Sequence, residues 1–510
     1  MPGRTPARPA RTGVGIARAA AGLHCALLGL ALAALLATAG AYVRGATGYM
    51  DNGEGLYLYP AYRLARGGVL YRDVMGTQPP VVYVIGAAAW KAGLSLAGMR
   101  LVGLAMRAAC VALVYALGRL VCVGRVTAAL AALVYTLLPI GLAWDRSFNS
   151  NSPLTLVILV AAYALARLTP RSAYLAGLLS AAGLFTKDLY APVLVANVAY
   201  LLRWQRDLLT PYARGALSGG GALALALALY AGPQSLRDAF LGQASSPLTL
   251  TWALASGAYV AAQEGGVILL ALVGAYLIAR PHVIDTTRRQ DAKPTADIRR
   301  RYAAYLLAGS SAALLATLKE GTFGTVFACA EPAVALLAAG ALGAVARATL
   351  YDGRRLALAA SLALLACVSA SGVIARDRDA LALDGTAAVA RVDTFVRAHA
   401  RPGDLILAPP YYALRAGTRI PYDASDTYIL LEQDRRGDPV AARRVRDIVR
   451  DVAAGRFPVV VEDAHIAAFP GIAPALAAAY RRVYADTLPP SIHAVVWTPI
   501  SRRATDWRRG

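Results

Sequence analysis

Two acids, Asp51 and Glu54, stand three residues apart in the stretch YMDNGEGLYLYPAY, just past an apolar run that ends near Val43. A carboxylate in that place meets the headgroup boundary of a bilayer, partly out of water. Desolvation tunes such a group towards neutrality, which is what a general base acting on a membrane-embedded substrate requires. A solvated loop acid or a helix cap occupies the same place equally well, and local residues alone favour that commoner role. Leu56, Tyr59, Tyr62 and Leu64 then predict a short helix lying on the membrane surface.

Arg107 is the next residue that needs an explanation. It falls about two turns into the following apolar helix, seven residues after Arg100 and on nearly the same face. An arginine at that depth costs roughly 2.5–3.5 kcal/mol on insertion scales, so it must face a polar cavity or a partner. A lipid phosphate is one such partner; an ion pair with Asp145 or Asp188 is the other. The five cysteines (Cys25, Cys110, Cys122, Cys329, Cys367) all fall inside apolar runs, which makes them packing residues. His24, His282, His399, His465 and His493 are scattered singly, so no histidine-based metal site is readable.

The elements that hold these residues are membrane helices. Of 510 residues, 57% are hydrophobic and only 16% charged, and the mean hydropathy is +0.49. Runs of about 20 apolar residues recur between residues 21 and 374. The net charge of +22 comes from arginines clustered at the ends of those runs, where they set orientation, so nucleic acid is excluded as a partner.

Arginine placement predicts a cytoplasmic N-terminus (1–20) and cytoplasmic turns at Arg119 and Arg125, at Arg167 and Arg171, at Arg203 to Arg214, at Arg280 to Arg301, and at Arg347 to Arg355. The outer loops are then 44–98, 144–152, 187–188, 232–254 and 319–323. Eleven crossings satisfy this pattern, provided the stretch PPVVYVIGAAAWKAGLSL lies along the membrane and does not cross it. The fold class is a polytopic α-helical membrane protein. Residues 21–375 form the membrane domain, and 376–510 a small extracytoplasmic α/β domain with helices at 385–400 and 440–454 and strands at PGDLILAPP, FPVVVED and HAVVWTP.

The first outer loop also carries a resemblance. Asp51 and Gly53, Leu56 and Tyr57, Gly67, Val69 with Tyr71, Arg72 and Asp73, Pro79 and Pro80, Tyr83, and Arg100 with Leu101 resemble the GT-C class of membrane glycosyltransferases, glycosyltransferase family 39 type. Within that class the pattern resembles bacterial relatives of protein O-mannosyltransferases and of the transferases that add aminoarabinose to lipid A. The resemblance implies transfer of a sugar from a polyprenyl-phosphate donor to an acceptor hydroxyl at the outer membrane face, with inversion. It assigns Asp51 the role of catalytic base. The partners it implies are the lipid-linked donor, membrane lipid, and a glycan, lipid or protein acceptor.

Further segments extend the resemblance. GLFTKDLYAPVL places Lys187 where the family binds a phosphate, although snorkelling at a helix end explains the same lysine. LKEGTFGTVFACAEPAVALLAAG resembles the late outer loop and adds Lys319 and Glu320; Glu54, Tyr83, Arg100, Arg107 and Asp145 complete the substrate-binding candidates. The pattern departs at FNSNSP, where Asn151 and Ser152 precede Pro153 in place of an acid. That acid's role is either lost or moved to Asp145, which leaves a divalent-metal requirement open; no other cofactor is implied.

The rival reading is a transporter or flippase of a lipid-linked sugar, which predicts internal repeats and broken helices in matching halves. Neither is clear in this sequence. A non-catalytic receptor or scaffold built on the 376–510 domain is a third.

Overall fold

The computed structural model describes residues 11–45, 53–122, 124–242, 246–279, 294–320, 322–348, 386–485 and 494–500. Helix α1 (Arg11–Gly45) is followed by two short helices, α2 (Gly53–Ala65) and α3 (Val81–Lys91). The bundle then runs through α4 (Leu96–Val121), α5 (Arg125–Leu137), the six-residue α6 (Pro139–Trp144), α7 (Asn151–Ala166), α8 (Pro170–Thr186), α9 (Ala191–Trp204) and α10 (Leu209–Ala231). It continues with α11 (Gln234–Leu241), α12 (Leu250–Ala279), α13 (Pro294–Ser311) and α14 (Glu331–Ala348).

Among the described residues four helical stretches are long and apolar enough to cross a bilayer: Arg18–Gly40, Leu96–Val121, Arg206–Ala231 and Leu250–Ala279. Other helices of the bundle are shorter. The last apolar run before residue 374 lies outside the described residues. α3, with its 11 residues, spans only about 16 Å at the α-helical rise. That is about half of a hydrocarbon core, too short for α3 to span it alone.

Local chemistry sets several helix ends. Ser95 caps α4 by accepting from the Gly98 amide. Thr169 and Ser172 make a capping box at the start of α8, with Pro170 in the first turn. Packing within the bundle rests on small residues. A Cβ on Gly177 of α8 would stand 2.0 Å from the Tyr212 carbonyl oxygen, and one on Gly215 of α10 2.0 Å from that of Tyr174. The two helices therefore touch backbone to backbone at a reciprocal glycine pair.

Residues 386–500 form the second region. Helices α15 (Thr386–His399), α16 (Pro410–Ala416), α17 (Thr427–Arg435), α18 (Pro439–Ala453), α19 (Ala464–Ala467) and α20 (Ile472–Ala479) accompany strands β1 (Val460–Glu462), β2 (Tyr480–Ala485) and β3 (Val495–Pro499). The sheet is antiparallel with order β1-β3-β2. In α18 the buried positions Ala441, Val445, Ile448 and Val452 recur at helical spacing, while Asp438 caps it and Pro439 opens it.

Two details differ from the sequence reading. PGDLILAPP forms no regular strand; it makes isolated parallel bridges, Leu405 with Arg419 and Leu407 with Val460. Pro409 and Pro410 stop it, because neither has an amide to donate and Pro410 instead starts α16. β2 is the unforeseen strand, an edge strand whose exposed Arg481 and Arg482 hide the usual apolar alternation.

This second region does not stand apart. One apolar core joins Leu58, Tyr59, Val82, Tyr83, Met99 and Phe148 of the bundle side with Val392, Ile406, Tyr411, Val459 and Val496. The approach is close enough that a Cβ on Gly55 would lie 2.7 Å from the Tyr411 amide nitrogen.

Candidate active site at one end of the helix bundle

Three segments bring polar side chains together: the start of α2, the loop from Asp145 to Ser152, and the break between α8 and α9. Glu54, in the first turn of α2, is buried and receives Arg100 of α4 in a forked pair. Nε lies 2.9 Å from Oε1 and Nη2 2.6 Å from Oε2. The amide of Phe148 donates to the same carboxylate at 3.0 Å. Two of the expected substrate-binding residues are thus bound to each other, an arrangement that holds α2 against α4 and the loop.

Arg107 resolves into its ion-pair alternative. Nη1 lies 2.8 Å from Asp145 Oδ2, and Nη2 donates to the carbonyls of Tyr135, Thr136 and Leu138 at 3.0–3.3 Å. Its guanidinium carbon also sits 5.0 Å from the Tyr135 ring centre. The second oxygen of Asp145 accepts from Ser152 Oγ at 2.6 Å. Asp145 is therefore spent on Arg107 and on the first turn of α7.

The network extends to two glutamates that the sequence reading missed. Glu331 Oε1 accepts the Gly141 amide at 2.5 Å and Glu264 Oε1 the Ile140 amide at 3.2 Å, so α12 and α14 both cap the short helix α6. Glu331 Oε2 is 3.9 Å from Arg107. Their signal was present: each is a lone acid in a long apolar run, a rare and costly placement.

Lys187 ends α8, and its backbone is extended there, so the chain turns before α9 begins. The side chain is 7% exposed. Its Nζ donates to Asn151 Oδ1 at 2.8 Å. Among the described residues no carboxylate lies within ion-pair distance of that ammonium. Asn151 is itself the first residue of α7, and Asn149 caps it through Oδ1, 2.7 Å from its amide. Ser150 Oγ bonds Tyr57 of α2 at 3.1 Å, which ties this turn back to the first loop.

The remaining candidates lie elsewhere. Tyr83 is fully buried, and its hydroxyl accepts the amides of Thr77 and Gln78 at 3.2 and 3.3 Å, a prop beneath the turn that leads into α3. Lys319 and Glu320 follow the 3-10 segment 312–318 and pair with the strand-like stretch at 247–249. Asp51 lies outside the described residues; Gly53, two positions on, opens α2. No group of three or more His, Cys, Asp or Glu side chains among the described residues is arranged to hold a metal ion.

The second region clamps onto this end of the bundle through Asp423. Tyr59 donates to Oδ1 at 2.5 Å and Arg63 to Oδ2 at 2.9 Å, while the Met75 amide reaches the Asp423 carbonyl at 3.2 Å. Burial and the Asp423 charge push the Tyr59 phenol well above its ordinary range. Tyr422 and Asp423 both have positive φ, 58° and 45°, a conformation that side chains resist and that this clamp holds in place. Nearby, Asp426 accepts from Thr77 Oγ1 at 3.2 Å and from the Ile429 amide at 3.0 Å, and burial pushes its carboxyl up.

A helical bundle with four candidate membrane spans and a buried lysine at one end fit a helical membrane protein. The comparisons agree. Residues 77–231, which carry Tyr83, Arg100, Arg107, Asp145 and Lys187, match the family model described as dolichyl-phosphate-mannose-protein mannosyltransferase. The chain is similar to ArnT from Cupriavidus metallidurans bound to undecaprenyl phosphate, with 13% identity over 97% of this chain and 99% of that one and a TM-score of 0.58. It is also similar to ArnT in the apo state, at 14% identity over 94% and 98% with a TM-score of 0.60. A third likeness is to the archaeal oligosaccharyltransferase AglB from Archaeoglobus fulgidus in complex with an inhibitory peptide and a dolichol-phosphate. There the identity is 10% over 91% of this chain and 74% of that one, with a TM-score of 0.56. No curated protein matches the chain. The resemblance read from the sequence to GT-C membrane glycosyltransferases is therefore found again in both the family model and the fold.

Proposed function

We propose that this protein transfers a glycosyl group from a polyprenyl-phosphate donor to an acceptor hydroxyl at the outer face of the membrane, with inversion at the anomeric carbon. The observation that carries this reading is Lys187: a buried ammonium at the end of the bundle whose side chain, among the described residues, bonds a neutral amide and no carboxylate. A buried cation so held calls for an anion. The similar structures whose titles name undecaprenyl phosphate and dolichol-phosphate support a lipid phosphate as that anion.

In this mechanism the donor's polyprenyl tail lies along the bundle and its phosphate meets Lys187. The ammonium stabilises the negative charge that grows on the phosphate as the glycosidic bond breaks. Asp51 takes the proton of the acceptor hydroxyl as that oxygen attacks the anomeric carbon from the opposite face. Glu54 with Arg100, and Asp145 with Arg107, keep the first loop and the start of α7 in register.

A positioned base contributes about 10²–10⁴-fold in rate. Asp51→Asn is therefore expected to abolish detectable transfer in membranes while expression stays intact. Near-wild-type transfer by that variant would remove Asp51 from the mechanism.

A further inference from the structure

One helix stops and another starts inside the bundle between α5 and α6. Leu138 is extended there and Pro139 follows, which leaves the last carbonyls of α5 and the first amides of α6 to find partners outside their own helices. Charged side chains from three other helices take them up. Arg107 of α4 donates to the carbonyls of Tyr135, Thr136 and Leu138. The amides of Ile140 and Gly141 donate to Glu264 of α12 and Glu331 of α14. All three side chains are buried, at 0–1% exposure. Their convergence leaves room for nothing larger than glycine at position 141, where a Cβ would run into Glu331 Oε2 and Arg107 Nη1. From α6 the hydrogen bonds continue to Lys187. The carbonyl of Trp144, which ends α6, accepts from Asn149 Nδ2 at 2.6 Å; Asn149 Oδ1 accepts the Asn151 amide at 2.7 Å; and Asn151 Oδ1 accepts from Lys187 Nζ at 2.8 Å. Arg107 adds a second route, through Asp145 Oδ2 at 2.8 Å and from Asp145 Oδ1 to Ser152 Oγ at 2.6 Å.

We propose that Glu264 and Glu331, together with Arg107, are positioning residues: they fix α6, and α6 fixes the Asn149–Ser152 turn that aims the Lys187 ammonium. A helix cap normally comes from the residue just before the helix and says nothing about where that helix lies. Here the caps come from α12 and α14, so they set the place of α6 within the bundle. Over its six residues, roughly 9 Å at the α-helical rise, a shift at the start of α6 reaches the turn that holds Lys187. The glutamates act as acceptors and not as reactants, since among the described residues neither makes an ion pair with Lys187. This inference rests on the reading that Lys187 meets the donor phosphate.

The test uses the full chain in nanodiscs, with undecaprenyl phosphate and undecaprenol as probes. Glu331→Leu and Glu264→Leu remove the acceptor at similar size, whereas Glu331→Gln and Glu264→Gln keep an acceptor oxygen for the same amide. The expected result is that each Leu variant weakens undecaprenyl phosphate binding about tenfold, because a buried amide is left without a partner, and leaves undecaprenol binding unchanged. Each Gln variant should stay within about threefold of the wild type. Gly141→Ala, which keeps every acceptor but pushes Glu331 and Arg107 aside, should weaken the phosphate probe in the same way and serves where a Leu variant does not fold. The deciding comparison is a cycle with Lys187→Met. Residues that act through Lys187 add little to the loss that Lys187→Met already causes, whereas independent sites multiply their losses. Multiplied losses, equal loss of both probes, Gln variants as weak as the Leu ones, or wild-type affinity in the Leu and Gly141→Ala variants each overturns the proposal. Lys187→Met separates the two readings: if it binds undecaprenyl phosphate as the wild type does, the assignment of Lys187 fails and the positioning role falls with it; if it binds weakly and the losses multiply, only the positioning role falls.

Discussion

The pair of Glu54 and Arg100 offers a direct measure of what the first loop is for. Both side chains are buried, Arg100 at 2% exposure, and they share a forked contact at 2.6–2.9 Å. Removing one partner of such a pair leaves a buried charge uncompensated, at a cost of about 3–5 kcal/mol, whereas replacing both with neutral groups of similar size is often close to neutral. Arg100→Met alone should therefore destabilise the protein by about that amount, and Glu54→Gln, which keeps an oxygen for the Phe148 amide, by somewhat less. The double variant should lose much less than the sum, with a coupling energy of about 2–3 kcal/mol, inside the range for contacting residues. The measurement is thermal and denaturant unfolding in nanodiscs for all four proteins, alongside donor KM and kcat. If the two losses simply add, or if Arg100→Met keeps full stability while raising the donor KM, the pair is not the strut described here and Arg100 acts on substrate instead.

Other outcomes follow from the clamp on the bundle. Asp423→Asn should loosen the second region from α2, because it weakens the bonds from Tyr59 and Arg63 and their ion pair; limited proteolysis between residues 386 and 500 is expected to speed up several-fold, at a cost of about 1–3 kcal/mol. Asp426 predicts a pH effect of the opposite sign to an ordinary ion-paired acid. Its folded pKa is raised by burial, so the folded state favours the neutral form, and stability falls as pH rises from the unfolded carboxylate value of about 3.9 through the raised one. Asp426→Asn, which still caps Ile429, should remove that slope and raise the melting temperature at neutral pH; an unchanged slope would locate the effect in another group.

How far the sequence could be read is clearest from single elements. The short helix after Asp51 was legible from Leu56, Tyr59, Tyr62 and Leu64, and it forms as α2. The stretch after Pro80 was legible as an apolar segment broken off by its prolines, and it forms the 11-residue α3. Arg107 was legible as a residue in need of a partner, but which partner was not: Asp145 is 38 positions away and meets it only because α6 turns the chain back. Glu264 and Glu331 carried a visible signal in their apolar surroundings. Asp423 carried none, because an acid in a polar loop has no pattern that foretells a clamp 360 residues away.

The sequence by itself determined what belongs in the bilayer. Apolar run lengths and arginine placement report transfer free energies that each segment feels alone, so they survive without any knowledge of neighbours. It also determined that Arg107 would be expensive in that setting, and it marked Arg100 and Lys187 as cations near it or at a helix end. Only the tertiary structure decided how each expense is met: Arg100 by Glu54, Arg107 by Asp145, and Lys187 by the uncharged Asn151. Those pairings depend on contacts between helices distant in the chain, and a one-dimensional pattern does not record them. The difference between a cation paired with an acid and one held by an amide rests on that third dimension.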